Sequence, residues 1–259
     1  MAPAPAMSAD DGEGAERELT LDDLIRGRIR VWQPRTGYRV NVDSLLLAWF
    51  VGEPPYGKVV DLGAGVGVIG LALAARDPQA QVVLAELLAE SAGLCQRNAE
   101  ENQLSARTRV VQVDLADERA ARAVLPGASF DRVVSSPPYF TVRAGPPVPD
   151  QSEAIARHEL RIDVPGVARA ARRLLVPGGR AFLVFPSERM VELLGALAAE
   201  GLAPVRLRLV HPRPGSPANR VLVEAQKGSR AGLTVEPQLE LRDRQGQYGP
   251  EARQALGEA

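Results

Sequence analysis

The sequence predicts a doubly wound, Rossmann-like α/β fold: a mainly parallel seven-stranded sheet, helices on both faces and an antiparallel hairpin at one edge. Three observations point there. From Lys58 onward short apolar strands alternate with longer helical stretches, the pattern of a parallel sheet covered on both sides. The first of these strands runs straight into a glycine cluster and then a helix, the junction at which such folds approach a ligand. The last two strands share a connection too short for a crossover helix, so they pair antiparallel.

Each element has its own reason. Residues 41–50 read as a short apolar helix after a stretch, 19–31, in which charged and apolar residues alternate. KVVDL at 58–62 is a strand, the Ala/Leu-rich 68–76 a helix, 81–86 a strand, 88–102 an amphipathic helix, and 109–113 and 131–135 strands. A Pro/Gly-rich irregular stretch follows at 137–149. The helix predicted over 164–175 is closed by Pro177-Gly178-Gly179, since proline and glycine commonly stop helices. A strand at 180–185, a helix at 188–199 and the two strands at 205–210 and 220–225 complete the series. The resulting division is an acidic tail (1–18), an N-terminal extension packing on the ligand cleft (19–57), a main domain (58–230) and a C-terminal extension (231–259).

Composition narrows the class. In 259 residues, 45% apolar and 24% charged content is that of a globular protein able to bury a sizeable core. Cys95 is the only cysteine, and His158 and His211 have no metal-ligand spacing, so neither disulfides nor a metal centre are expected. The tail has no apolar signal core and the longest apolar run, 45–51, is too short for a bilayer; the expected location is cytoplasmic. Only Lys58 and Lys227 are lysines among 31 basic residues, a skew that GC-rich coding explains. Net charge is −1, yet residues 141–230 carry 14 basic against 8 acidic side chains, a local excess suited to phosphate contacts or simply to a solvated face.

The glycine cluster is Asp61-Leu62-Gly63-Ala64-Gly65-Val66-Gly67. Its glycines let the backbone turn sharply and approach a ligand closely. Gly65, Gly67 and Gly70 also satisfy the dinucleotide fingerprint, which is weak alone. Asp61 argues against a pyrophosphate, which it would repel, and for a ligand with a cationic amino-acid end held through ordered water. Glu86 ends the second strand, placed to accept both ribose hydroxyls. Asp114 follows the third, in reach of an adenine amino group.

Ser136-Pro137-Pro138-Tyr139 follows the fourth strand. Two prolines stiffen the turn and remove two N–H donors, which leaves carbonyl oxygens as acceptors. A nucleobase amine is a poor nucleophile because its lone pair is delocalised into the ring. Accepting hydrogen bonds from both its N–H groups favours a tetrahedral, attacking nitrogen. Ser136 Oγ and the Pro137 carbonyl are the candidate acceptors, and Tyr139 the candidate stacking platform. Catalysis would then rest on positioning, with no metal and no covalent intermediate.

These motifs, in this order, resemble the class I S-adenosylmethionine-dependent methyltransferases, and S/N/D-P-P-Y is the signature of their amino-group branch. More specifically, residues 36–48, Ala156-Arg157-His158-Glu159, the segment 211–219 and Gly246-Gln247-Tyr248-Gly249-Pro250-Glu251 resemble the tRNA adenine-N6 methyltransferases that act on valine tRNA beside the anticodon. The similarity spans roughly residues 19–251. It implies S-adenosyl-L-methionine as cofactor, tRNA as the nucleic-acid partner, and an adenine flipped into the cleft. Two departures stand out. Serine replaces the family's usual asparagine at Ser136, as in DNA cytosine-N4 methyltransferases, and residues 141–151 are proline-rich where relatives often carry lysine and glycine.

Other conspicuous residues have two readings each. Asp43 faces the methionine end of the cofactor, with Tyr38 covering it, or only caps the helix that follows. Arg157 and His158 touch phosphate or form a polar helix face. His211 and Arg213 line a substrate groove or belong to a rigid hairpin loop. Competing functions are amino-methylation of a DNA base, an rRNA base or a protein glutamine amide; a nicotinamide oxidoreductase; and a non-catalytic nucleic-acid-binding module.

Overall fold

The computed structural model describes residues 18–37, 39–137 and 163–258. The chain opens with an antiparallel hairpin, β1 (Leu19–Leu24) and β2 (Ile29–Pro34), then α1 (Val42–Phe50). The doubly wound part follows as β3 (Lys58–Leu62), α2 (Val68–Arg76), β4 (Gln81–Glu86), α3 (Ala89–Glu101), β5 (Thr108–Gln112), α4 (Glu118–Val124) and β6 (Phe130–Ser135). It continues with α5 (Val164–Leu174), β7 (Leu175–Pro186), a 3-10 turn (Ser187–Arg189), α6 (Met190–Ala199), β8 (Leu202–His211) and β9 (Arg220–Lys227). Two short strands, β10 (Thr234–Val235) and β11 (Leu239–Glu240), and α7 (Pro250–Ala255) close the chain.

The central sheet has the order β5-β4-β3-β6-β7-β9-β8, with β9 antiparallel to both its neighbours and the other contacts parallel. Strand order reverses between β3 and β6, the place where open α/β sheets leave a crevice at the carboxyl ends of their strands. Side chains alternate between two apolar layers, as a strand period of two requires. Val59, Val82, Leu84, Phe182 and Val184 pack under α1, α2 and α3, whereas Val60, Ala85, Leu183 and Phe185 pack under α4, α5 and α6.

The structure corrects several sequence expectations. Pro177-Gly178-Gly179 does not follow the helix as a loop. It lies inside β7, opposite an irregularity where β6 passes from pairing at Leu175 to pairing at Arg180. The helix expected at 188–199 starts as a 3-10 turn. The β8–β9 hairpin is not the outermost element, because β10 and β11 both add to β8 in parallel, making nine strands in all. Arginines of β8 fix that addition. Arg206 donates to Glu224 (2.6 Å), Glu236 (3.3 Å) and the Phe50 carbonyl (2.6 Å), and Arg208 donates to the Pro237 carbonyl (2.9 Å) and Glu251 (2.5 Å).

The N-terminal hairpin is attached by side chains. In an antiparallel pair alternate residues turn both backbone groups away from the partner strand, and on β2 these include Arg30 and Trp32. Asn98 of α3 accepts from Trp32 N–H (2.7 Å) and donates to the Trp32 carbonyl (3.1 Å). Asn102, the C-cap of α3, does the same for Arg30, at 2.7 Å in each direction. The match is metric. Four helical residues rise about 6 Å and two strand residues about 6.7 Å, so amides at i and i+4 meet alternate strand residues. Asn98 is fully buried and also donates to the Val66 carbonyl of the glycine turn (2.9 Å).

Asn98→Ala removes three bonds and leaves buried backbone groups without partners, so it is expected to destabilise the protein by roughly 3 kcal/mol. Asn102→Ala, at a more exposed position, is expected to cost about 1 kcal/mol. Urea denaturation of both variants checks the order; equal losses would show that the link to Val66 carries nothing.

Candidate active site

A cleft opens where β3, β4 and β6 end, lined by the glycine turn, Glu86 to Leu88, Val113 to Leu115 and Ser135 to Pro137. Its base is braced by Ser135, whose buried hydroxyl donates to the Leu62 carbonyl across the β3–β6 crevice (2.7 Å). One wall comes from the N-terminal extension through Gln33, Pro34, Val40 and Ser44. Gln33 holds that wall in place: its carbonyl accepts from Val40 N–H (2.8 Å) and its amide donates to Asp22.

The glycine turn is pinned from below. Gly63 and Ala64 N–H donate to the Ala85 carbonyl (2.9 and 3.1 Å), Gly65 N–H donates to Glu86 (2.7 Å), and the buried Cys95 thiol donates to the Gly65 carbonyl (3.1 Å). Gly63 and Gly65 have φ of +72° and +58°, and a Cβ at either would project into open space. These two positions therefore present bare backbone to the cleft. Gly67 behaves differently. It caps α2 at φ +90° and packs against Leu84, Leu71 and Cys95, so it serves the helix–sheet contact and does not line the cleft.

The acids divide in the same way. Glu86, 8% exposed, lines the cleft. Besides Gly65 it accepts from Leu87 and Leu88 N–H (2.8 and 3.0 Å), and burial pushes its pKa up against those donors. A carboxylate takes about four hydrogen bonds, and these three donors leave one acceptor site on Oε2. Asp114 lines the cleft two residues beyond β5 and accepts from Ala116 N–H (2.9 Å). Asp61 is fully buried and does not line it. Its Oδ2 accepts from Gly70 N–H (3.0 Å) in α2, while its Oδ1 has no hydrogen-bond partner among the described residues. Burial raises its pKa to about 7, with the Gly70 N–H opposing and the Glu86 charge adding to the rise.

Of the motif after β6, Ser136 and Pro137 line the cleft. Pro138, Tyr139, Tyr38, Arg157 and His158 lie outside the described residues, as does nearly all of the Pro/Gly stretch. Asp43 is buried in an ion pair with Arg220 (2.7 Å), and the cap of α1 is Asn41, which accepts from the N–H groups of Asp43 and Ser44. The cap reading of Asp43 is thus replaced by Asn41, and Ser44 rather than Asp43 lines the cleft. His211 ends β8 and Arg213 sits in the β8–β9 loop; neither lines the cleft, and the His211 ring contacts the Ser216 carbonyl (2.6 Å). Sequence reasoning missed Gln33, Ser44 and Asn98. The alternation before Gln33 was the only available signal.

An acid beside bare glycine backbone, a second acid one strand further and an acceptor motif across the crevice define an enzyme that binds an adenosine-containing cofactor. The chain belongs to the methyltransferase small domain family, whose model matches residues 38–194. It is 32% identical over 201 residues to a tRNA1(Val) (adenine(37)-N6)-methyltransferase of Porphyromonas gingivalis, covering 76% of this chain and 78% of the relative. A protein of the same name from Tolumonas auensis is 30% identical, covering 85% and 88%. Among solved structures, a predicted O-methyltransferase from Agrobacterium tumefaciens superposes with a TM-score of 0.69 at 30% identity, covering 84% of this chain and 97% of that one. A Thermus thermophilus 16S rRNA N2 G1207 methyltransferase, in complex with AdoMet and guanosine, shares the fold with a TM-score of 0.57 at 23% identity, covering 83% and 51%. The protein is an S-adenosylmethionine-dependent methyltransferase, and the residues fit that cofactor: an acceptor on Glu86, a carboxylate at Asp114 and open backbone at Gly63 and Gly65.

The raised pKa of Asp61 has a direct consequence. An acid whose folded pKa lies above its unfolded value, 3.8, contributes stability below the unfolded pKa and loses it as pH rises through the folded one. The cofactor-free wild type is therefore expected to lose stability relative to Asp61→Asn between about pH 4 and pH 7, with a slope approaching about 1.4 kcal/mol per pH unit. Melting curves of both proteins across this range test it; parallel curves would mean that Asp61 stays ionised.

Proposed function

We propose that this enzyme methylates the N6 amino group of an adenine in tRNA, with valine tRNA beside the anticodon as the first candidate. The observation that carries the reading is Ser136-Pro137 at the end of β6, lining the same cleft as Glu86 and Asp114, in a chain whose relatives bear that activity in their names. When bound, S-adenosylmethionine supplies an electrophilic methyl group on a sulfonium. Ser136 Oγ and the Pro137 carbonyl accept the two N–H groups of the amine, which localises the nitrogen lone pair toward that methyl group. As the N–C bond forms, the C–S bond breaks and one amine proton passes to solvent. Tyr139 is the stacking surface for the base, and no metal takes part.

Cofactor roles follow the geometry. Glu86 takes one ribose hydroxyl, Asp114 the adenine amino group, and Gly63 and Gly65 the close approach of the backbone, while Asp61 supports the turn from beneath. In this reading residues 58–230 form the catalytic domain, 19–57 supply one wall of its cleft and 231–259 brace its far edge. Among the described residues no helix is long and apolar enough to cross a membrane, and a cytoplasmic location completes the proposal.

The test is transfer of labelled methyl groups from S-adenosylmethionine to unmodified total tRNA, followed by nucleoside mass spectrometry. N6-methyladenosine is the expected product. Ser136→Ala is expected to lower kcat by about 100-fold, the usual loss on removing one aligned hydrogen-bonding group, and Tyr139→Ala to abolish detectable product. Transfer to DNA, rRNA or protein amides in place of tRNA would overturn the acceptor and keep the chemistry.

A further inference from the structure

We propose that the tip of β8, built from Arg213, Arg242, Arg244 and Tyr248, is a docking surface for the phosphate backbone of the RNA that carries the acceptor base. The inference rests on the RNA reading above and adds the place where the strand is held.

Position is the first argument. β8 runs parallel to β7, β6 and β3, so its carboxyl end lies on the sheet edge that bears the cleft. Two strands, β9 and β7, separate it from β6; three inter-strand spacings make about 14 Å. A stacked strand advances about 3.4 Å per nucleotide. A base seated at Ser136 would therefore bring phosphates a few nucleotides away over the tip of β8.

Rigidity is the second. The loop after β8 is locked on itself: Arg213 N–H donates to Ser216 Oγ (3.1 Å), and the Ser216 hydroxyl and N–H both donate to the Arg213 carbonyl (2.6 and 3.1 Å). The C-terminal extension lies directly against it, Leu241 N–H donating to the His211 carbonyl (2.8 Å) and Arg242 N–H to the Pro212 carbonyl (3.2 Å). The Arg242 guanidinium stacks over Tyr248, 4.2 Å from the ring centre, and donates to the Gly246 carbonyl (2.8 Å). Such a surface has little ordering cost on binding.

Charge is the third. Elsewhere on β8 and β9 the arginines are spent on carboxylates: Arg206 on Glu224, Arg208 on Glu251 and Arg220 on Asp43. Arg213 and Arg244 are exposed and hold no ion pair among the described residues. The acid between Arg242 and Arg244, Asp243, is occupied by the N–H groups of Gln245 and Gln247 (2.9 Å each). The tip thus offers three guanidinium groups beside two carboxylates, Asp243 engaged by its own turn and Glu240 accepting from the Gln238 amide (3.2 Å).

The experiment compares wild type with R213A/R244A in methyl transfer to unmodified total tRNA and in equilibrium binding of that tRNA at several salt concentrations. Expected are a KM for tRNA raised about 10-fold, a salt slope of log affinity shallower by about one per arginine removed, and an unchanged melting temperature and S-adenosylmethionine affinity. R213K/R244K is expected to restore the slope. Wild-type KM and slope in the alanine variant overturn the docking surface and leave the RNA reading standing. A weakened affinity with unchanged slope also overturns it, because no phosphate contact has been lost. A wild-type enzyme that binds the cofactor but transfers nothing to tRNA overturns the RNA reading and the surface together.

Discussion

The site depends on one constraint: the turn between β3 and α2 must present bare backbone upward while its own amides and carbonyls are tied down from beneath. Ala85 and Glu86 take the amides of Gly63, Ala64 and Gly65, Cys95 and Asn98 donate to the carbonyls of Gly65 and Val66, and Asp61 holds α2 through Gly70. These partners come from three different segments, so the turn is a meeting point for β4, α2 and α3. Gly70 shows how closely it is packed: a Cβ there would stand 2.3 Å from Leu84 Cδ2. The spacing that resembles a dinucleotide fingerprint is thus divided, Gly65 (like Gly63 before it) lining the cleft and Gly67 and Gly70 packing on the sheet.

Much of this was legible because the elements that carry it are local and regular. β3, α2 and β4 have the bounds their patterns announced, and Glu86 and Asp114 are conspicuous because each is an acid at or just after a strand end. What escaped has physical reasons. The β1–β2 turn uses Ile25 and Arg26 at φ of +53° and +52°, a conformation that side chains other than glycine seldom advertise. α4 reads as charged surface because only Ala121 is buried in it. β10 and β11 are two residues each and exist through contacts with β8. Asn98 meets Trp32 across 66 residues of chain, a pairing that no local pattern encodes. Asp61 was read from its place in the loop, although the alternation that puts Val59 under α2 puts Asp61 there too.

The two extensions do complementary work. The N-terminal one completes the cleft wall through Gln33, Pro34, Val40 and Ser44. The C-terminal one is fastened to β8 by Arg206 and Arg208, whose guanidinium groups also stack on Phe50 and Trp49 of α1 (3.9 and 5.3 Å). Helix α1 is therefore held by β8 at its carboxyl end, and its first turn, at Ser44, reaches the cleft.

The pair of asparagines on α3 has a consequence beyond the site. A two-stranded hairpin beside a large sheet leaves an outward row of N–H and C=O groups, which is a ready template for a strand from another molecule. Proteins commonly blunt such edges with charges, prolines or bulges. Here the outward groups of Arg30 and Trp32 are consumed by Asn98 and Asn102. Two side chains thus do what a neighbouring strand would do without offering a further edge in their turn, and β2 is closed to intermolecular sheet growth along that stretch.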